Sequence, residues 1–456
     1  MHRTPWTRAP IVRFWLFALL LLTSPVLGQG KAPPSWKAIE GMAEEQKLEA
    51  AAQGAEARLA QAKSKGDEAE WTRALVRTVQ LRTRLHGYET AVRFLREQPW
   101  PEGLRQQATL HLFYAAVLAR YQQAYSYEIG QREQVVSSGP VDLKAWTKDQ
   151  LSAEIQRTYA AVWESRQKFG TEPVKGLSEY LQPNTYPEGI RSTVRDAVTY
   201  LWVDSLDDTD LWRPEQEQGV YRLDLGALLE GTPKVELKDP SAHPLMKVAA
   251  VLGDLEAWHL AAGRREAALE ARLRRYEVLT TSFTDAADQR RIREHLAAHL
   301  KGFRDVPWWS KGQNQLAELE EKAGRAITAH ALAKAGAEAW PKSVGGVQCA
   351  ALVGRLEAPE LYATGMQVDG PGKRSILVGH RNVGTVYFRA YALDVEARLA
   401  KPGEDLSLYP SSAEMLRIVA SRKPEASWSM ALPPTPDFQR HQTFVTPPAL
   451  KAGAYL

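Results

Sequence analysis

The sequence predicts an α plus β protein in two parts behind an export signal: an array of helical hairpins over residues 36–357, then an antiparallel β-sandwich over 358–456. Three observations carry this. Apolar residues recur with a helical period through most of the chain, the period falls to two after Ala358-Pro359, and the first residues have the layout of a cleavable leader. At 456 residues with 44% hydrophobic content the chain is long enough to bury more than one core, so two or more domains are expected.

The leader comes first in the chain. Arg3, Arg8 and Arg13 stand without acidic neighbours, an apolar run extends from Phe14 to Leu22, and Thr23-Ser24-Pro25-Val26-Leu27-Gly28 supplies small residues around a cleavage point. That is the pattern of a signal peptide over residues 1–28, leaving a product that begins near Gln29. The run is shorter than the ~20 apolar residues of a bilayer-spanning helix. A retained anchor is the alternative use of the same segment. No cysteine lies nearby to accept a lipid, so a soluble exported product with no stable membrane anchor is expected.

Beyond a short spacer at Lys31 to Ser35, the helical period is explicit. Leu110, Phe113, Tyr114, Val117, Leu118 and Tyr121 fall on one face of a helix. Val248, Val251, Leu252, Leu255 and His259 repeat the pattern, Gly263 interrupts it, and Leu269, Leu273 and Tyr276 resume it, which reads as a hairpin with glycine at the turn. Breaks of similar character stand at Lys65-Gly66-Asp67, Gln98-Pro99-Trp100-Pro101 and Ala339 to Ser343. Successive hairpins suggest a tetratricopeptide-like stack, in which each pair covers its neighbour's apolar face. No strict 34-residue period runs through the chain, so regular repeats are not implied, and a single globular bundle is the competing arrangement. Two proline-containing stretches, Gly170 to Gly189 and Asp204 to Pro244, read as loops or short irregular segments that serve as contact surfaces or packed arms.

After Ala358-Pro359 short strands are expected from Leu361, Arg374, Val386, Ser427 and Phe438, with Pro371-Gly372 as a turn. In Val386 to Leu393, Val386, Phe388, Ala390 and Ala392 would face one way, and Tyr387, Tyr391 and Leu393 the other. Trp428, Met430 and Leu432 alternate with Ser427, Ser429 and Ala431. Ser411 with Glu414 makes a capping pattern ahead of Met415, Leu416, Ile418 and Val419, so a short helix interrupts the strands. Ala454-Tyr455-Leu456 reads as the opening of a strand, and the sandwich is expected to be cut short at its last strand.

Charge and cysteine content exclude several functions. Without the three leader arginines, 55 basic residues face 54 acidic ones, a formal charge of +1. Such a body lacks the clustered positive field that phosphate backbones require, so no nucleic-acid partner is expected. The one cysteine, Cys349, allows no internal disulfide and sits in an apolar helical context as a small buried hydrophobe. His295 and His299 have metal-ligand spacing, yet Glu294 precedes the pair and no third ligand is evident, so they read as solvated or capping residues. Asp204, Asp207, Asp208 and Asp210 lack the glycine and terminal glutamate of a calcium loop and read as solvated capping carboxylates. Gly370-Pro371-Gly372-Lys373 lies between strands and not ahead of a helix, so it is a turn and not a phosphate loop. No Gly-x-Ser-x-Gly elbow or ordered Ser-His-Asp set is present, and no carboxylate pair stands out among many acidic residues. Hence no catalytic residue, cofactor or metal site is expected.

One resemblance sharpens this reading. Gly365-Met366-Gln367-Val368-Asp369-Gly370-Pro371-Gly372-Lys373-Arg374-Ser375, with His380-Arg381-Asn382 and Val386 to Asp394, resembles the first macroglobulin-type β-sandwich of bacterial alpha-2-macroglobulin family proteins. Trp71-Thr72-Arg73-Ala74-Leu75, Gly87 to Leu95 and Trp212-Arg213-Pro214-Glu215-Gln216 are similar to the helical extension that precedes it in one branch of that family. The likeness covers nearly all of the chain after the leader. It implies an exported protease trap, in which cleavage of a bait segment collapses the domains around a protease and, in many members, a Cys-Gly-Glu-Gln thioester holds it. Cys349 is followed by Ala350-Ala351-Leu352, so this chain carries no thioester, and no bait segment can be identified. The resemblance therefore implies the leading scaffold of a periplasmic or secreted inhibitor. Its partners would be proteases or envelope proteins and the downstream domains of a longer chain. The alternative is an autonomous exported helical-repeat adaptor that binds peptide segments of envelope proteins. A third reading is an exported hydrolase on a helical toroid.

Overall fold

A computed structural model describes residues 32–133, 142–365, 375–400 and 410–456. The leader read at 1–28 and the turn read at Gly370 to Lys373 lie outside the described residues. The chain divides into two compact units, one ending at Gln106 and the other beginning at Gln107. Helices dominate, and small antiparallel sheets follow them toward the C-terminus.

In the first unit α1 (Trp36–Glu44) starts at Ser35, whose hydroxyl accepts the Ala38 amide at 3.2 Å. Helices α2 (Leu48–Lys65) and α3 (Glu68–His86) fold back on each other around the predicted Lys65-Gly66-Asp67 turn, with Asp67 capping α3 through the Glu70 amide. The buried face of α2 is alanine-rich. Its short side chains at Ala51, Ala52 and Ala55 let Ile39 and Leu81 pack closely against it. The unit closes with α4 (Tyr88–Glu97), which buries Ala91, Val92 and Leu95. Polar bracing accompanies this packing: the Trp36 indole donates to Glu70 at 3.1 Å, and Arg58 Nε donates to the same carboxylate at 2.6 Å.

Helix α5 (Leu104–Ala124) carries the predicted apolar stripe. Leu110, Tyr114, Val117, Leu118 and Tyr121 are buried as expected, whereas Phe113 is only half-buried because it borders a cavity. After α6 (Ser126–Gly130), α7 (Lys148–Glu164) opens on a capping box between Thr147 and Gln150 and runs into the short α8 (Arg166–Phe169). Residues 171–193 then form an irregular arm containing one 3-10 turn, Val174–Leu177, as the prolines there predict. The second proline-containing stretch agrees with expectation only in part, since residues 231–243 are irregular as expected but helices occupy much of what precedes them. Helix α9 (Val194–Asp207) extends into it, and a 3-10 turn at Thr209–Leu211 leads to α10 (Pro214–Gly219) and α11 (Leu225–Glu230). Pro214 opens α10, and Pro244 opens α12 (Pro244–Ala261), in each case at a helix start where a missing amide costs nothing. These prolines punctuate helices and do not abolish them.

Helices α12 and α13 (Arg265–Ser282) form the predicted hairpin, with Gly263 at φ 72° in the turn. Val248, Val251, Leu252, Leu255 and His259 are all buried in it, as are Leu269, Leu273 and Tyr276. Gly253 has a packing reason to be glycine, because a Cβ there would stand 2.0 Å from the Gly231 carbonyl oxygen. Gly253→Ala should therefore cost about 1–3 kcal/mol through forced separation of the two segments; a urea midpoint equal to wild type would contradict the close approach. Helices α14 (Ala286–Leu300), α15 (Trp309–Lys322), α16 (Ala326–Ala339) and α17 (Val344–Glu357) complete the helical part. Ala317, Ala329, Ala333, Leu352 and Leu356 form one core with Cys349, which is buried as predicted.

The strands are β1 (Glu360–Gly365), β2 (Ile376–Arg381), β3 (Thr385–Ala390), β4 (Ala392–Leu393), β5 (Ala426–Ala431), β6 (His441–Val445) and β7 (Ala454–Tyr455). Among the described residues they pair antiparallel in three small sheets, β1-β2-β6, β3-β5 and β4-β7, with Val378, Val386, Leu432 and Val445 forming a core. Two helices interrupt them, α18 (Val395–Leu399) and the predicted α19 (Ser412–Ser421), capped by Ser411 on the Glu414 amide. The alternation of Trp428 and Met430 with exposed Ser427, Ser429 and Ala431 holds.

Two expectations need correction. The run Val386 to Leu393 is not one strand: Tyr391 is buried and exchanges backbone bonds with Leu456, and this break leaves Ala392 exposed where unbroken alternation would have set it beside Ala390. Phe438 adopts φ 55°, so β6 begins only at His441.

Candidate functional site

Among the described residues, the singled-out histidines, aspartates and Cys349 lie in separate places in the fold. His295 and His299 are half-buried: His295 lies between Glu230 and Tyr276, its Nε2 2.9 Å from Glu230 Oε1 and its Nδ1 2.7 Å from the Tyr276 hydroxyl. This carboxylate, imidazole and hydroxyl chain has the composition and order of a nucleophile relay, but its exposure is inverted. The carboxylate end is exposed and Tyr276 is fully buried, so no substrate reaches the hydroxyl. Burial, together with Arg272 and Arg275, pushes the pKa of His299 down to about 3. Among the described residues no group of three or more His, Cys, Asp or Glu side chains could hold a metal ion. Asp204 and Asp207 pair with Arg274 at 3.0 Å each, and Asp208 caps the Thr209 turn through the Asp210 amide. Burial pushes the Cys349 thiol up to about 12, and its Sγ donates to the Ser310 carbonyl.

The charged residues that organise the helices lie elsewhere. On α12, Glu256 accepts Arg272 Nε at 2.6 Å through one oxygen and Arg275 Nη2 at 2.9 Å through the other, and Arg275 Nε donates to the Leu229 carbonyl at 3.2 Å. All three side chains are buried. Sequence reading passed over them because it followed the apolar stripe. The available signal was the reverse one, an acid on α12 and two arginines on α13 at positions interleaved with Leu255, Leu273 and Tyr276.

Another feature is the arm over residues 171–193. Its base is closed by the Val174 amide on the Ser192 carbonyl at 2.9 Å and the Val194 amide on the Glu172 carbonyl at 2.8 Å, which makes residues 174–192 an Ω-like loop. Arg191 fastens it to the helices. Nε and Nη2 donate to Glu270 Oε1 at 3.0 and 2.7 Å, and the guanidinium lies over Tyr200 at 3.7 Å and Tyr186 at 4.3 Å. Trp308 Nε1 donates to the other Glu270 oxygen at 2.8 Å. Burial and the Glu270 charge push Tyr186 up to about 12. Arg191 itself holds φ 52°, a strained backbone that these contacts over-determine.

The loop encloses a cleft of about 750 Å³ bordered by Val174, Lys175, Leu181, Pro183, Glu188 and Arg191. Such a size suits a bound ligand. The cleft offers hydrogen-bonding groups together with Lys175 and Glu188, both exposed.

Comparison of the chain with protein-family models, with curated proteins and with solved structures gives no match. Among the described residues no helix is long and apolar enough to cross a membrane.

Proposed function

We propose that the chain is a non-catalytic scaffold, the leading part of an exported protease-trapping protein of the alpha-2-macroglobulin type. Its small antiparallel sheets are then part of a macroglobulin-type β-sandwich, and its partners are proteases or envelope proteins together with downstream domains. The observation that carries this reading is ionic cross-bracing. Arg166 and Arg195 both hold Asp254, Arg191 holds Glu270, and Arg274 holds Asp204 and Asp207, so most of these pairs join helices or segments far apart in sequence. Charges spent on fixing helices to one another make a stiff spacer, and stiffness is what a collapsing trap needs from the part that does not move. The order of parts, helices and then small antiparallel sheets, also agrees with the resemblance.

The test uses the native polypeptide. Antiserum against this chain should detect, in the envelope fraction, a species beginning near Gln29. Added protease should change its native-gel mobility, and the captured protease should lose action on large proteins while still cleaving small peptides. Unchanged mobility with undiminished proteolysis of large proteins overturns the trap. The second reading, an exported adaptor for peptide segments, is favoured by the cleft under the 171–193 arm and would then lead.

A further inference from the structure

Beneath the arm, the elements α5, α7 and α9 leave a cavity of about 120 Å³. Leu112 and Phe113 line it from α5, Tyr159 from α7 and Leu201 from α9, while Leu177 and Leu181 of the arm close it. Leu112, Tyr159 and Leu177 are buried, whereas Ala116 on the rim is exposed. Close-packed interiors contain few voids larger than a water molecule, so a gap of this size is an unfilled volume in a packed layer. Water fills such a space only where each molecule finds two to four polar partners, and this lining is mostly apolar, with side-chain hydroxyls from Thr109, Tyr159 and Tyr180 alone. No acidic or basic side chain lines the cavity. Dry apolar cavities of roughly 150 Å³ bind benzene or xenon. A charged or strongly polar ligand would lose its hydration here with nothing in return.

We propose that this cavity binds one phenyl-sized apolar group of a free small molecule, seated between Phe113 and Leu177 and entering past Ala116. The site is independent of the trap and adaptor readings. Leu181 lines both this cavity and the cleft above it.

Fluorobenzene and the full chain test this. The fluorine resonance should broaden and shift saturably, toluene should displace it, and saturating ligand should raise the melting temperature by about 2–4 °C. Ala116→Phe, at an exposed helix position, should plug the rim and abolish all three effects while leaving the ligand-free melting temperature within about 2 °C of wild type. A linear, non-saturating response of the wild-type chain, or equal binding by folded wild type and variant, overturns the proposal. Should the variant fail to fold, saturation and toluene displacement in the wild-type chain decide alone.

Discussion

Glu256→Gln should destabilise the helical part of the second unit by about 3–5 kcal/mol, more than truncating most apolar side chains around it. The reason is the arginines left behind. Arg275 is fully buried and Arg272 nearly so, and Glu256 is the carboxylate that both of them reach at hydrogen-bond distance. Glutamine keeps the shape and one acceptor oxygen but removes the charge, and its amide group turns donors toward donors. Arg275 Nη1 already lacks a hydrogen-bond partner, so little slack remains to absorb the change. Urea unfolding of the full chain, followed by far-ultraviolet circular dichroism, reads the effect. The triple replacement Glu256→Met, Arg272→Met, Arg275→Met should recover much of the loss, because removing a whole buried ionic group is far cheaper than orphaning part of it. A loss below about 1 kcal/mol for Glu256→Gln would show that water reaches the arginines and that the group is not buried in solution.

This contrast between apolar and ionic parts of the core also marks what could be read in the sequence. Hairpin α12–α13 was legible because its stripe, Val248 to His259 and Leu269 to Tyr276, repeats at the helical period and Gly263 marks the turn. Breaks before α3, α5 and α17 were legible for the same reason, since glycine, proline and Asp or Ser caps act locally. The segment from Asp204 to Pro244 was legible only in part, irregular over 231–243 but helical before it, because a proline signals an interruption without saying whether it ends one helix or begins the next. Pro214 and Pro244 begin them. Beyond Ala358 the period of two located most strands, but pairing is non-local. Nothing in Val386 to Leu393 itself announces that Tyr391 turns inward to bond with Leu456, 65 residues away, and so the break went unseen.

The candidate site was less legible still, for a related reason. The length and prolines of the 171–193 arm were visible, and a contact surface or packed arm was expected there. Its anchor was not, because Arg191 meets Glu270 only after α9, α12 and α13 have folded, 79 residues apart along the chain. The histidine pair was legible only in part. Two imidazoles one turn apart read as solvated or capping, and both are half-buried, reaching into the polar group around Glu256, Glu230 and Tyr276 that the sequence did not reveal.

Asp196→Asn should lose about 3 kcal/mol at pH 7, with the loss shrinking in acid. Asp196 is buried and sits at the third position of α9, where its Oδ2 accepts the Thr193 amide at 2.9 Å and the Thr193 hydroxyl at 2.8 Å. His259 supplies a third donor. Arg264 Nε donates to His259 Nδ1 at 2.9 Å, which leaves the ring proton on Nε2, and Nε2 stands 2.8 Å from Asp196 Oδ1. Burial by itself would raise the carboxyl pKa, but the bonds from His259 and Thr193 outweigh it and hold the group below its ordinary value. The unfolded chain therefore binds the proton first as pH falls, and the stabilisation by Asp196 is complete above the ordinary carboxylate value of about 3.9 and is lost through the lowered folded value. Asparagine has no such titration, and its amide protons would face the three donors. The gap between wild type and Asp196→Asn, measured by urea unfolding, should be constant from pH 7 to pH 5 and narrow below about pH 4. A gap that stays constant down to pH 3 would mean that the carboxylate is not preferentially ionised in the folded chain, and the capping box joined to His259 would not be what holds α9 against α12.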